Sequence, residues 1–323
     1  MALSEFEIIR RYFTRRTRGA LLGVGDDAAI VRPRRGANLV VTTDLLIAGR
    51  HFRHDADPRQ VGHKSLAVNL SDIAAMGGTP RWATLALGLP SANARWLSAF
   101  SGGFMRLARR HHVDLIGGDT TRGPLTICVH VIGEVPTGRA LRRDGAHVAD
   151  DVWVSGELGD AGLALAAMDR RVRLSRRELA RVERRLHEPK PRVALGVALR
   201  GIARSAIDIS DGLLADLGHI CQRSGVGAVI ELGRIPRSAT MQRHLSLAAA
   251  RLALLAGGDD YELCFTAAPL QRDRIAGVGR RLGLRLTRIG RIVRPRRSAP
   301  RVVVLGPDGR TLALKRGGFD HFA

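Results

Sequence analysis

The chain has 323 residues, enough for two domains, and 45% of them are hydrophobic. Its 52 basic and 30 acidic residues give a net charge of +22, but only three of the basic residues are lysine. This excess of arginine indicates a genome-wide bias rather than a nucleic-acid-binding face, and aromatic residues (4%) are too scarce for stacking on bases. No apolar run reaches the roughly 18 residues of a membrane span, so we expect neither a membrane nor a specific nucleic acid as partner.

The N-terminal residues MALSEFEIIRRYF contain acidic residues and lack the apolar segment of a secretory signal. Ser4 and Glu7 instead predict a capping box that opens a first helix. Cys128, Cys221 and Cys264 are odd in number and lack the spacing of a metal site. We therefore expect reduced, buried thiols and a cytoplasmic protein.

Strand-like and helix-like segments alternate along the whole chain, which predicts an α/β fold, or α+β layers. In the first half we predict strands and helices in this order: a strand at 38–44, a helix at 58–77 entered at a proline and closed by Gly77 and Gly78, a strand at 81–89, a helix at 94–112 with a glycine pair inside, and strands at 113–119 and 125–135.

The segment 138–151 is polar, rich in turn residues and without periodicity, so we place a domain junction there. This gives domains at 1–140 and 141–323. In the second domain we predict strands and one helix in this order: a strand at 151–157, a strand and turn at 205–212, a helix at 213–224, and strands at 227–232, 261–267 and 285–293.

Acidic residues recur beside Gly, Ser or Thr at the ends of the predicted elements, in six short motifs. These are GDDAA (25–29), TTD (42–44), SD (71–72), GGDTT (117–121), DISDG (208–212) and GGDDYE (257–262). A single acidic turn is ordinary, because Asp is common in turns and at helix starts. Six together predict a site of carboxylate and hydroxyl oxygens, the ligands that Mg²⁺ favours, and therefore Mg²⁺ with a polyphosphate.

Asp72 is the most informative of these residues, because it lies in a helix that is otherwise apolar. A buried carboxylate is costly unless it is paired or binds a metal. Asp44 and Asp208 likewise end strongly apolar strands.

The stretch LGVGDDAA (22–29) matches the glycine pattern G-x-G-x-x-A of dinucleotide-binding loops. Such a loop should open a helix whose N-terminus meets the pyrophosphate, but AAIVRP continues as a strand-like run. Asp26 and Asp27 would also repel phosphate unless a metal ion lay between them. The chain contains neither the phosphate-binding loop G-x-x-x-x-G-K-[ST] nor the protein-kinase motifs.

Seven motifs together closely resemble the thiamine-monophosphate kinase family, within the superfamily of aminoimidazole ribonucleotide synthetase-like ATP enzymes. They are GVGDDAA, VTTDLLIAGRHF, KSLAVNLSDIAAMGGTP, LIGGDTTRGPL, SAIDISDGLLADL, GGDDYELCF and GFDHF, in order from about residue 4 to 322. The resemblance implies a two-domain fold of that superfamily, with the N-terminal domains of two subunits pairing into a β-barrel and the ATP and magnesium site between the domains of each chain. It implies transfer of phosphate from ATP to thiamine monophosphate, giving thiamine diphosphate.

The resemblance also implies roles for individual residues. Those implied as Mg²⁺ ligands are Asp27, Thr42, Thr43, Asp44, Asp72, Asp119, Asp208 and Asp211, with Asp26 less firmly placed. Those implied to contact ATP are Gly118, Asp119, Arg143 and Ser210, together with an unplaced residue near 100–104. Those implied to contact thiamine monophosphate are His51, Asp259 and Phe319. Asp44, Asp72, Asp119 and Arg143 would carry the chemistry.

The chain departs from the family pattern at two substrate positions. Asp259 stands where the family commonly has Glu, and Phe319 where it often has Tyr or Trp. The shorter acid and the loss of a phenolic or indole donor leave both contacts in question.

Three other interpretations remain open. A related enzyme could form an acyl- or seleno-phosphate, although GRHF and GFDHF argue against it. A basic nucleic-acid-binding protein could have kept the fold without catalysis, and it would be expected to have degraded carboxylate motifs. A soluble α/β protein with ordinary acidic turns explains each motif singly but not the set.

Overall fold

A computed structural model describes residues 4–295 and 301–312 of the chain. The residues group into two compact units, one formed by residues 4–73 and 78–138, the other by 74–77 and the residues from 139 onward. The pairing implied above for the N-terminal domains, the ATP and magnesium site implied between the domains, and the boundary at residue 140 remain predictions. Among the described helices, none combines the length and apolar character needed to cross a membrane.

The first unit contains a short hairpin, a four-stranded sheet and helices. Its elements are α1 (Glu5–Ile8) followed by a π-helical turn (Ile9–Phe13), β1 (Ala20–Leu22), β2 (Ile30–Val31), β3 (Ala37–Ile47), α2 (Pro58–Ala75, whose last two residues group with the second unit), β4 (Thr79–Leu89), α3 (Ala94–Arg110), β5 (Asp114–Arg122) and β6 (Thr126–Pro136). β1 and β2 pair antiparallel, and the sheet has the order β3-β6-β4-β5 with only β4 and β5 parallel. The capping box predicted at Ser4 and Glu7 is confirmed.

Strand β3 alternates between a buried and an open face, as one strand of a half-covered sheet should. Val40 and Leu46 are buried. The alternate side chains on the open face are large and apolar, and they remain exposed in the single chain. They are Leu39 (46% exposed), Val41 (62%), Leu45 (47%) and Ile47 (38%).

Helices α2 and α3 cross at two glycines, Gly62 and Gly103. A Cβ added to Gly62 would overlap the carbonyl of Phe100, and one added to Gly103 would overlap the carbonyl of Arg59. The backbones therefore approach more closely than any side chain would allow. Of the glycine pair predicted inside α3, Gly103 thus has a packing role, whereas a Cβ on Gly102 would meet open space.

The second unit is a six-stranded mixed sheet with helices. Its elements are β7 (Asp151–Ser155), α4 (Asp160–Met168), α5 (Arg176–His187), α6 (Val193–Leu199), β8 (Ser205–Asp208), α7 (Leu213–Ser224), β9 (Gly227–Glu231), α8 (Ala239–His244), α9 (Ala248–Ala256), β10 (Leu263–Ala267), α10 (Arg272–Leu282), β11 (Leu286–Val293) and β12 (Val302–Leu305). The strand order is β12-β9-β11-β7-β10-β8, and β12 and β9 are the parallel pair. Two hydrophobic clusters account for its core, and every residue of β7 is buried.

Three expectations need correction. The strand predicted to end at Asp44 continues to Ile47, because residues 45–47 still pair with β6, so Asp44 lies within β3. The strand predicted at 261–267 begins at Leu263, because Asp259 and Tyr261 adopt left-handed backbone angles (φ 67° and 49°) that interrupt an extended chain. The three cysteines are free, but Cys128 is half-buried rather than buried.

Candidate active site

The acidic pair Asp26–Asp27 lies in the loop of the β1–β2 hairpin. Both residues are exposed, and the backbone amide of Asp27 donates to Oδ1 of Asp26 (2.9 Å). The chain after them continues into β2 rather than into a helix. The strand-like run predicted after this loop is therefore confirmed, whereas a dinucleotide-binding loop leads into a helix whose N-terminus receives the pyrophosphate.

The hairpin loop forms one wall of a cavity of about 860 Å³ in the first unit. Residues 117–120, in the middle of β5, line another part of it, so the motifs GDDAA and GGDTT lie on the same cavity. The remaining lining is largely apolar and includes Phe6, Ile9 and Phe13 from the N-terminal segment. Sequence reasoning missed this contribution, although the confirmed capping box marked the start of the helix that supplies it.

Position 118, at this cavity, can only be occupied by a glycine. Its φ is 150°, and a Cβ would overlap the backbone of Leu85 on the neighbouring strand. The glycine lets β5 lie close to β4 and leaves Asp119 exposed at the cavity, where Oδ1 accepts the backbone N–H of Thr120 (2.9 Å).

The hydroxyl group of Thr42 on β3 donates to Oδ2 of Asp72 on α2 (2.5 Å). Asp72 is half-buried in an otherwise apolar helix, and this hydrogen bond gives its carboxylate a polar partner. Thr43, the next residue on β3, is exposed on the other face. The strand thus brings Thr42 and Asp72 together and separates Thr43 from them.

Strand register relates the remaining acids of this unit. Asp44 lies in the same cross-strand row as Gly118, whereas Asp119 belongs to the next row, with Leu45. Because neighbouring rows point to opposite faces of a sheet, Asp44 and Asp119 face opposite sides. His51 follows β3 in a turn, and its Nδ1 accepts the backbone N–H of Ile47 (3.0 Å).

In the second unit, Asp208 is the last residue of β8, and Ser210 and Asp211 follow it in the turn before α7. Three consecutive backbone amides of this turn, those of Ser210, Asp211 and Gly212, donate to Oδ2 of Asp216 (3.0, 3.1 and 3.1 Å). Burial and the charges of Asp208 and Asp211 raise the pKa of Asp216 to about 8. Sequence reasoning missed Asp216, whose only signal was an acid in the first turn of a helix.

The segment 257–262 lies beside this turn and is bonded to it through the backbone. Asp259 donates to the carbonyl of Ser210 (2.9 Å), Tyr261 donates to the carbonyl of Ile209, and Ile209 donates to the carbonyl of Glu262 (2.8 Å each). The motifs DISDG and GGDDYE therefore form one structure. The phenol of Tyr261 also donates to Oδ1 of Asp259 (3.1 Å).

Glu262 fixes this structure from within the unit, and it too was missed. Its carboxylate is 1% exposed and accepts hydrogen bonds from Arg185 (2.9 Å), from Nε of Arg192 (2.6 Å) and from the hydroxyl of Ser155 (2.5 Å). Each oxygen of the carboxylate thus accepts hydrogen bonds from buried or half-buried donors.

Asp260 is held by the backbone N–H of Gly159, which donates to both of its carboxylate oxygens (3.0 and 2.8 Å). Burial, with the nearby charges of Glu262 and Asp160, raises the pKa of Asp260 well above its usual value.

Arg143 is exposed near the start of the main segment of the second unit, and its carbonyl accepts a hydrogen bond from the hydroxyl of Ser224 (2.9 Å). This bond fixes the backbone and leaves the guanidinium in solvent. Phe319 and the motif GFDHF lie outside the described residues.

The side chains that could hold a metal are carboxylates and threonine hydroxyls, an oxygen donor set that fits Mg²⁺ and not zinc. Within residues 4–295 and 301–312, no three His, Cys, Asp or Glu side chains lie close enough together to hold an ion. The acids instead form smaller sets, at the cavity, at the Thr42–Asp72 contact and in the turn before α7.

Comparison with known proteins agrees with this architecture. Residues 25–135 match the family described as AIR synthase related protein, N-terminal domain, and residues 149–303 match the corresponding C-terminal domain. The fold is thus that of the AIR synthase related proteins.

Individual relatives of known name identify the family within the AIR synthase related proteins. The thiamine-monophosphate kinase of Salmonella typhimurium is 43% identical and covers 100% of this chain and 99% of its own. The crystal structure of thiamine-monophosphate kinase from Stenotrophomonas maltophilia has a TM-score of 0.84 and 47% identity, covering 97% of this chain and 99% of its own. A structure of AaThiL complexed with AMPPCP and TMP has a TM-score of 0.75 and 33% identity, covering 93% and 92%. The chain belongs to the thiamine-monophosphate kinase family.

Proposed function

We propose that the protein transfers the γ-phosphoryl group of ATP to the phosphate of thiamine monophosphate, giving thiamine diphosphate and ADP. The observation that carries this proposal is the cavity of about 860 Å³, which has acidic and glycine-rich segments on some walls and apolar side chains on others. An apolar wall suits a purine ring, and the acidic end suits phosphates that reach it through Mg²⁺. Relatives that carry the same activity in their names support the assignment.

The acceptor phosphate is already ionised near neutral pH, so the reaction needs orientation and relief of charge repulsion rather than a strong base. Mg²⁺ held by the carboxylates of the chain would supply both, because it would offset the phosphate charge and fix the positions of the two substrates. Several Mg²⁺ ions are proposed, and the residues proposed to hold them are Asp27, Thr42, Thr43, Asp44, Asp72, Asp119, Asp208 and Asp211. We propose direct in-line transfer without a phosphoenzyme.

The remaining roles are assigned to residues that bind and orient the two substrates. Gly118, Asp119 and Ser210 would contact ATP, and the exposed guanidinium of Arg143 would bind the transferring phosphate as a fixed cation. His51, Asp259 and Phe319 would contact thiamine monophosphate.

We also propose a homodimer that covers the open face of β3, as the barrel expected for the family would. The exposed side chains Leu39, Val41, Leu45 and Ile47 support it, because such a contiguous apolar row is unusual on a monomer. Leu45→Arg should shift the protein from dimer to monomer in analytical ultracentrifugation. Leu270→Arg is the matched control, since Leu270 is 93% exposed in the second unit and should leave the dimer intact. A Leu45→Arg variant that stays dimeric would place the interface elsewhere.

The proposed location is the cytoplasm, where free thiols such as those of Cys128, Cys221 and Cys264 persist.

The activity is tested by incubating the purified protein with ATP, Mg²⁺ and thiamine monophosphate and measuring thiamine diphosphate and ADP. The expected result is equimolar formation of both products. ATP consumption with a carboxylate or selenide acceptor, and none with thiamine monophosphate, would refute the proposal.

A further inference from the structure

The turn before α7 has an arrangement that the proposed chemistry does not by itself require. Three consecutive backbone N–H groups, those of Ser210, Asp211 and Gly212, converge at 3.0–3.1 Å on one oxygen of Asp216. Asp216 lies in the first turn of the same 12-residue helix, is 2% exposed, and turns its carboxylate back to the helix start.

Consecutive amides at a helix N-terminus ordinarily bind an external anion such as phosphate, because they are donors without an intrahelical acceptor and lie at the positive end of the helix dipole. Here an internal carboxylate takes those donors. The acceptor for the amides of Ser210, Asp211 and Gly212 therefore belongs to the protein, so these three amides are not available to an external phosphate.

The turn is also held from its other side. The carbonyls of Ile209 and Ser210 accept the backbone N–H groups of Tyr261 and Asp259, and the N–H of Ile209 donates to the carbonyl of Glu262. The backbone on both sides of Asp208 and Asp211 is thus fixed by bonds that do not use their side chains.

We propose that Asp216 is a positioning residue. It accepts the amides of residues 210–212 just before α7 and so fixes the 208–212 turn. The fixed turn presents Asp208 and Asp211 to a divalent cation, and its three amides are withheld from an anion. This inference rests on the proposed Mg²⁺-dependent function. It assigns Asp216 no contact with metal or substrate, since its role is to hold the backbone that carries those ligands.

Two substitutions of Asp216 distinguish a role in holding the backbone from a role of its charge. Asp216→Asn keeps an oxygen that accepts the three N–H groups, whereas Asp216→Ala removes the acceptor. Asp273→Ala is the matched control, because Asp273 is an exposed acid in the first turn of α10, in the same unit.

The first measurement is hydrogen–deuterium exchange of the peptide spanning residues 208–213, without metal or nucleotide. Asp216→Ala should raise exchange at these amides by about tenfold or more, and Asp216→Asn and Asp273→Ala by less than about threefold. The second is Mn²⁺ binding to the full chain with an ATP analogue, followed by electron paramagnetic resonance. Asp216→Ala should weaken it about tenfold, and Asp216→Asn should restore it to within about threefold of wild type.

In turnover assays, Asp216→Ala should raise the half-saturating Mg²⁺ concentration, while the KM for ATP at saturating Mg²⁺ changes little.

Wild-type exchange or wild-type Mn²⁺ binding in Asp216→Ala would overturn the proposal. So would an Asp216→Asn variant with protected amides and lost Mn²⁺ binding, because charge and not position would then matter. If Asp216→Ala does not fold, Asp216→Asn alone decides between these outcomes. If the wild-type protein does not phosphorylate thiamine monophosphate, the proposed function fails while the exchange and Mn²⁺ measurements still judge Asp216.

Discussion

The hydroxyl of Thr42 lies 2.5 Å from Oδ2 of Asp72, which joins the central part of β3 to the last turns of α2. Asp72→Asn keeps an oxygen acceptor for that hydroxyl but removes the charge proposed to hold Mg²⁺. We expect turnover to fall by at least about 100-fold, and the free energy of unfolding to change by less than about 1 kcal/mol. Steady-state kinetics and urea denaturation measure the two effects.

The control lies immediately before the same helix. Asp57 precedes α2, and its Oδ1 accepts the backbone N–H of Arg59 (2.9 Å). Asp57→Ala should therefore cost about 1 kcal/mol of stability and leave kcat unchanged. Near-normal turnover in Asp72→Asn would show that Asp72 is not a metal ligand.

Glu262 should be a stability determinant, because its buried carboxylate forms ion pairs with two arginines inside the second unit. Glu262→Gln keeps the shape but leaves Arg185 and Arg192 without their anion. We expect the free energy of unfolding to fall by about 3–5 kcal/mol. Asp308→Asn, which breaks an exposed contact with Arg310, should change it by less than about 1 kcal/mol. Equal effects of the two substitutions in denaturant titrations would contradict a structural role for Glu262.

The sequence predicted most elements because their patterns are local. Hydrophobic periodicity, the proline at the start of α2 and the glycines after it depend on neighbouring residues alone, and the structure places α2 at Pro58–Ala75. The segment before β10 failed as a strand because its conformation depends on hydrogen bonds to Ile209 and Ser210, about 50 residues earlier.

The acidic motifs were visible for the same reason, but the residues that hold them were not. Asp216 and Glu262 each look like an ordinary charged residue in sequence, and their importance comes from which donors the fold brings to them. Phe6 and Phe13 similarly line the cavity only because the N-terminal segment packs there. Such pairings are long-range, and one sequence without structure does not contain them.

His111, at the C-terminal end of α3, should make stability depend on pH. Burial, together with the charges of Arg110, His63 and His112, lowers the pKa of His111 from 6.5 to about 4. The unfolded chain therefore binds this proton more readily, so the contribution of His111 is fully present above pH 6.5 and is lost as the pH falls from 6.5 to 4. His111→Gln should flatten the dependence of the unfolding free energy on pH in that window, measured by urea denaturation at each pH. His112→Asn at the exposed neighbour should keep the wild-type slope, and an unchanged slope in His111→Gln would assign it to another group.

The two adjacent glycines of α3 should respond oppositely to alanine. Gly102 has open space where a Cβ would go, so Gly102→Ala should stabilise the protein by about 0.5–1 kcal/mol through higher helix propensity. At Gly103 the new methyl would overlap the carbonyl of Arg59, so Gly103→Ala should force α2 and α3 apart and cost about 1–3 kcal/mol. Thermal and urea unfolding of the two variants measure both effects on one helix, with the same chemical change.

Because α2 also carries Asp72, Gly103→Ala should reduce turnover more than its loss of stability explains, while Gly102→Ala should leave turnover unchanged. Equal stability of the two variants would mean that the helices do not cross at Gly103.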